Sequence, residues 1–192
     1  MAYIELEDLR GELDIEGSAD NPLLQQAIQA AQAYIESQTN RVFEAATDTR
    51  YYSREALDEH DSAILHLVDD LYSVTTLTNG DSSGTVIAAT DYWLLNRNYG
   101  PPYHAIQLKT NIDDYWQWDT DCWVSIAGSW GYSTSAPYDI RRACTVLAAY
   151  LYRQKDAQMF ETTAIVESGA IAIPQGIPAT VDRILARYKR YI

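Results

Sequence analysis

Between Cys122 and Gln154 the spacing of apolar residues changes. In "CWVSIAG" it is two: Cys122, Val124 and Ile126 face one way, Trp123, Ser125 and Ala127 the other. After "GSWGYSTSAP" apolar residues fall at Ile140, Cys144, Leu147 and Leu151, which is one face of a helix. A strand therefore hands over to a helix at a glycine-rich corner near Pro137. Strand, glycines and helix in that order can cradle a phosphate, but a P-loop needs Lys-Ser/Thr after its glycines. "GSWGYSTS" has no lysine and carries bulky Trp130. Asp139 already answers the positive end of the helix dipole. The corner reads as a structural junction built on Gly128, Gly131 and Pro137.

The same contrast of periods divides the rest of the chain. A short helix is expected over Leu6–Leu13, ended by Gly17 and Ser18. In "SADNPLLQQAIQAAQAYIESQTNRVF", Asp20 or Asn21 can cap a helix and Pro22 suits its first turn. Leu24, Ile28, Ala31 and Ile35 form its apolar stripe, while Gln25, Gln29, Gln32 and Glu36 face away. Asn40 is a stop signal. Residues 50–132 read as β, in the stretches "TRYYS", "AILHLV", "SVTTLTNG", "TVIAATDYWLLN", "YHAIQLK" and "CWVSIAG". "TNGDSSG" and "NYGPP" are turns. A helix follows over 136–154, then a hairpin or extended arm over 157–176 with Gly169 at a bend. A last helix in "IPATVDRILARYKRYI" has a stripe of Val181, Ile184 or Leu185, Tyr188 and Ile192. The fold class is thus α+β: a small helical bundle with a large β-rich block inserted between its second and third helices. We divide residues 1–192, as one domain, into N-terminal helices (1–48), a β-rich insertion (49–133) and C-terminal helices (134–192).

Composition limits the chemistry. With 192 residues, 47% of them apolar, the chain can bury a real core. No apolar run is long enough to span a membrane, and the acidic start "MAYIELEDLRGEL" is unlike a signal peptide. Cys122 and Cys144 both lie in apolar contexts and read as reduced, buried thiols. The net charge is −13. From Pro137 onward eight Lys/Arg outnumber five Asp/Glu, a net of +3, and before it the net is −16. This asymmetry is either an acidic solvated surface or a division into an acidic and a mildly basic working surface. Either way, tight binding to a phosphate backbone is not expected, because that needs clustered cations.

His60, Asp61 and His66 lie close in sequence, but strand geometry does not bring them to one face with a carboxylate, so surface histidines are expected rather than a metal site. Asp113, Asp114, Asp119 and Asp121 lack the glycine and glutamate positions of a calcium loop and read as a polar turn. No nucleophile–base motif is present, so an enzyme is not expected. Fifteen tyrosines and five tryptophans stand against two phenylalanines. Tyr115, Trp116, Trp118 and Trp123 surround one expected hairpin, either as core packing or as a contact surface for protein or sugar.

The order of these segments resembles the head–tail connector (head-completion adaptor) proteins of tailed bacteriophages. The likeness runs through "YIELEDLRGELDI", then through Asp20, Leu24, Ile28, Ala31, Ile35, Arg41 and Phe43 of the second helix and its exit. It continues in "LYSVTTLT", "PYHAIQL", "VSIAGSWGY…APYDIRRACTVLAAYL" and the closing "IPATVDRILARYKR". The resemblance implies a homo-oligomeric ring, commonly of twelve subunits, beneath the portal of the filled head. Its wall would be helical, and tail or stopper proteins would attach to it. DNA would pass through the channel without specific binding. No cofactor and no membrane is implied, and the location is the virion, with assembly in the host cytoplasm. Under this reading Ile184, Arg187, Tyr188, Arg190 and Tyr191 dock on the portal, and Tyr115, Trp116, Trp118 and Trp123 meet a neighbouring subunit or the tail. The alternative is a carbohydrate- or receptor-binding β-module that uses exposed Trp and Tyr.

Overall fold

Glu5 starts the first helix: its backbone N–H donates to the Asp8 carboxylate at 3.0 Å, which satisfies one of the amides a helix start leaves open. The computed structural model describes residues 2–80, 84–109, 116–117, 123–157 and 176–190. Helix α1 (Leu6–Leu13) ends where Asp14 turns left-handed, with Leu9 fully buried. Helix α2 (Asn21–Thr39) buries Leu24, Ala27, Ile28, Ala31 and Ile35, the stripe its spacing predicts plus one alanine. It stops at Asn40, also left-handed. Asp20 precedes it but makes no capping bond; its carboxylate accepts the Tyr152 hydroxyl at 2.6 Å instead.

Helix α3 (Tyr138–Ala157) buries Ile140, Ala143, Cys144, Leu147 and Ala148. Helix α4 (Ala179–Tyr188) buries Val181 and Leu185. Together α1–α4 form one unit of the chain, Met1–Asn40 with Pro137–Tyr191, in which α3 packs on each of the other three helices. No described helix is long and apolar enough to cross a membrane. The expected arm over 157–176 falls almost wholly outside the described residues.

The second unit, Arg41–Ala136, forms among its described residues a six-stranded antiparallel sheet. Its strands are β1 (Ala46–Tyr52), β2 (Ile64–Asn79), β3 (Thr85–Ile87), β4 (Tyr92–Leu94), β5 (Tyr103–Leu108) and β6 (Val124–Trp130), in the order β1-β6-β2-β5-β4 with β3 also on β2. The β block therefore lies between α2 and α3, and the fold is α+β. The stretches "AILHLV" and "SVTTLTNG", which read as two strands, are one sixteen-residue strand, β2. Its first half pairs with β5 and its second with β6 and β3, with register breaks between. The acidic pair in its middle does not break it, because each carboxylate meets an arginine: Arg41 Nη1 donates to both Asp70 oxygens at 2.8 and 2.7 Å, and Arg50 pairs with Asp69. Conversely, "TVIAATDYWLLN" is two strands, not one: Asp91 N–H donates to the Ala88 carbonyl at 2.9 Å and closes a turn between β3 and β4.

One core fills the sheet's inner face, built on Leu65, Leu71, Leu77, Ile106, Val124 and Ile126. Burying side chains of this size contributes about 1.5–3 kcal/mol each. The sheet's core also holds Tyr52 and Trp130, stacked at 6.0 Å, and the Arg50 guanidinium lies 5.0 Å from the Trp130 ring centre. β6 runs on through Gly128, so the chain turns later than the sequence suggests, at Gly131 (φ +148°).

Candidate docking surfaces

In the helical unit the polar contacts gather on Asp139, in the first turn of α3. Its carboxylate accepts the Tyr188 hydroxyl at 2.8 and 3.0 Å and Arg187 Nη2 at 3.0 Å. Glu12 accepts Arg142 Nη1 at 2.7 Å, and that hydrogen bond holds its carboxyl below the usual range. Burial pushes the Cys144 thiol up to about 12, with the Glu36 charge adding to it, so this thiol does not ionise at neutral pH. Cys122 lies outside the described residues.

The residues expected to dock on a portal are thus partly occupied within their own unit. Ile184 is half-buried. Tyr188 and Arg187 are held by Asp139. Arg190 donates its backbone N–H to the Thr39 carbonyl at 2.8 Å and accepts from Asn40 Nδ2 at 3.1 Å. Tyr191 lies outside the described residues. Arg183 and Arg187 of α4 and Lys189 just after it are exposed, as are Asp182 and Ala186.

In the sheet the expected aromatic group does not form one described patch. Trp116 is 6% exposed and sits in the core, with its indole N–H donating to the Ala63 carbonyl at 3.0 Å. Trp123 is 44% exposed. Tyr115 and Trp118 lie outside the described residues. A core Trp116 removes the middle of any aromatic platform for a sugar. Of the expected junction residues, Gly128 is set by close approach: a Cβ there would lie 2.2 Å from the Ser73 carbonyl oxygen. Gly131 is set by its backbone angle and by Ala45, whose Cα would be 2.6 Å away. Pro137 accepts the Arg141 N–H at 2.9 Å and so opens α3.

His66 Nε2 lies 2.9 Å from the Asp58 carboxylate. That hydrogen bond first, then backbone N–H groups of His60 and Asp61, lowers the Asp58 carboxyl to about 2. Among the described residues no three His, Cys, Asp or Glu side chains converge as a metal site would require. The expected aspartate turn at Asp113, Asp114, Asp119 and Asp121 lies outside the described residues.

Sequence reading passed over the β4–β5 edge. There Trp93 is 42% exposed, with Arg97 4.9 Å and Lys109 5.6 Å from its ring centre. The available signal was charge: Arg97 and Lys109 are the only Lys/Arg between residues 55 and 140.

The model of one family, the phage gp6-like head-tail connector proteins, matches residues 3–91, which carry α1, α2 and β1 to β3. No curated protein matches the chain. Among solved structures, a chain from the neck of an empty GTA particle, computed with C6 symmetry, is 18% identical with a TM-score of 0.62. A chain from the virion of the native gene transfer agent (GTA) particle is 20% identical, also at 0.62. Each alignment covers 99% of this chain and 91% of the other, so the shared fold takes in both the helical unit and the sheet. Residues 3–91 are thus similar to the phage gp6-like head-tail connector proteins, and the chain as a whole shares its fold with the two GTA particle chains.

Proposed function

We propose that copies of this chain close into a ring beneath the portal of a filled phage head, where they lengthen the DNA channel and offer a platform to tail or stopper proteins. The family match carries this reading. The full-length likeness to a chain of a particle neck supports it, and a ring of about twelve copies is compatible with the six-fold symmetry imposed on that neck. The helices supply the wall. The net −16 of residues 1–136 suits a passage that must let DNA through without gripping it. The exposed cations of α4 provide a docking face for an acidic portal surface. Assembly takes place in the host cytoplasm.

The test is native mass measurement and negative-stain imaging of the protein alone and mixed with its portal. A closed multiple near twelve, seated on one end of the portal, is expected. A strict monomer under both conditions refutes the ring.

A further inference from the structure

We propose that Trp93, Arg97 and Lys109 form a contact that seats the sheet unit of one copy on the acidic surface of the next. This rests on the ring reading above.

The geometry begins with register. Trp93 pairs with Gln107 across β4 and β5, and Lys109 N–H donates to the Asp91 carbonyl at 2.9 Å, continuing that pairing. Alternation puts Tyr92, Leu94, Ile106 and Leu108 toward the core. The same alternation turns Trp93, Gln107 and Lys109 to the opposite face, where Lys109 is the diagonal neighbour of Trp93. Arg97 reaches the same ring from the loop after β4. Beyond it Tyr99 is 87% exposed.

The charge of this patch is at odds with its surroundings. Between residues 55 and 140 the sequence holds thirteen Asp/Glu and two Lys/Arg, and both cations stand over one indole. Among the described residues neither has a carboxylate within ion-pair reach; Lys109 Nζ donates to the Thr90 carbonyl. By contrast, Arg41 and Arg50, in the same unit, are each paired to aspartates. An exposed Trp flanked by Arg and Tyr has the composition of a binding hot spot, and its two cations, without an ion-pair partner among the described residues, select an acidic partner. The chain itself supplies that partner, since a ring of identical subunits brings a different patch of each copy against the next and residues 1–136 carry a net −16.

Carbodiimide cross-linking of rings assembled from an equal mixture of ¹⁵N-labelled and unlabelled protein separates links between copies from links within one. Lys109 is expected to link to an Asp or Glu of the other isotope. The double variant R97E/K109E should keep the wild-type melting temperature, since both charges are outside the core, yet need at least about tenfold more protein to assemble. If R97E/K109E assembles like wild type, or Lys109 links only within its own copy, the contact is refuted while the ring stands. If the wild type binds a duplex DNA oligonucleotide and R97E/K109E does not, the patch is a nucleic-acid contact and the proposal falls. A wild type that stays monomeric with and without portal overturns the ring and this contact together.

Discussion

A single Cβ separates the roles of three glycines. At Gly131 an added Cβ would lie within 3 Å of the Ala45 and Glu44 backbone, and φ is +148°. At Gly128 the obstacle is the Ser73 carbonyl oxygen, where β2 bulges against β6. At Gly176 φ is +143° but nothing lies within 4 Å. Gly131→Ala and Gly128→Ala should therefore each cost on the order of 2–4 kcal/mol, because backbone has to move. Gly176→Ala should cost only about 1 kcal/mol of conformational strain. Chemical denaturation of the three variants checks this order, and a Gly176 variant as unstable as the other two contradicts it. Asp58 gives a second residue-scale prediction. Its carboxyl is lowered from 3.8 to about 2, chiefly by the His66 hydrogen bond. A lowered carboxyl stabilises the fold above its ordinary value, and that contribution fades as pH falls from about 4 through 2. His66→Ala should move the Asp58 titration, followed by carboxyl ¹³C NMR, back up toward 3.8. An unchanged midpoint would show that the backbone donors alone set it.

At the scale of elements, α4 decides between two roles. Its sequence, with four cations between Arg183 and Arg190, reads as a docking element that needs an outside partner. The structure gives it a core role: Val181 and Leu185 are buried, and Tyr188 and Arg187 are tied to Asp139. Leu185→Ala should cost about 2–4 kcal/mol, and deletion of residues 181–192 should abolish a cooperative melt. Arg187→Glu, at an exposed side chain, should shift stability by less than about 1 kcal/mol, so portal binding by that variant reads docking alone. If the truncated protein melts like the full chain, α4 is not core. The case also shows what sequence makes legible. The α2 stripe was readable because a 3.6 period over five turns has one solution, and the strand-to-helix change at 122–154 because two periods meet there. The continuity of β2 was not, because Asp69 and Asp70 look like a break until Arg50 and Arg41, far away in sequence, neutralise them. In the sequence Trp116 fits core packing or a contact surface, and its burial, with the Ala63 carbonyl that takes its N–H, places it in the core. Trp93 escaped notice because its cations come from two different segments.

For the whole molecule the sign of the charge matters more than any one contact. The proposed ring, through which DNA would pass, has two conflicting needs: its copies must hold together, and its channel must not hold the duplex. Hydrophobic and aromatic contacts meet the first need without regard to DNA, and net negative charge meets the second. The chain carries −13 overall, and its cations are concentrated after Pro137. In the sheet unit Arg41 and Arg50 already face aspartates, which leaves few positions free to neutralise phosphates. Duplex affinity rises with the number of phosphates contacted and falls steeply with salt. With so few free cations on an acidic surface, binding at physiological salt should be weaker than about 100 μM, the weak end of non-specific binding by basic proteins. Fluorescence anisotropy with a labelled duplex checks this for the free protein and for the assembled ring. Micromolar binding that collapses as salt rises would mean the molecule presents a basic track to DNA, and the non-gripping channel would be wrong even if the ring itself were seen.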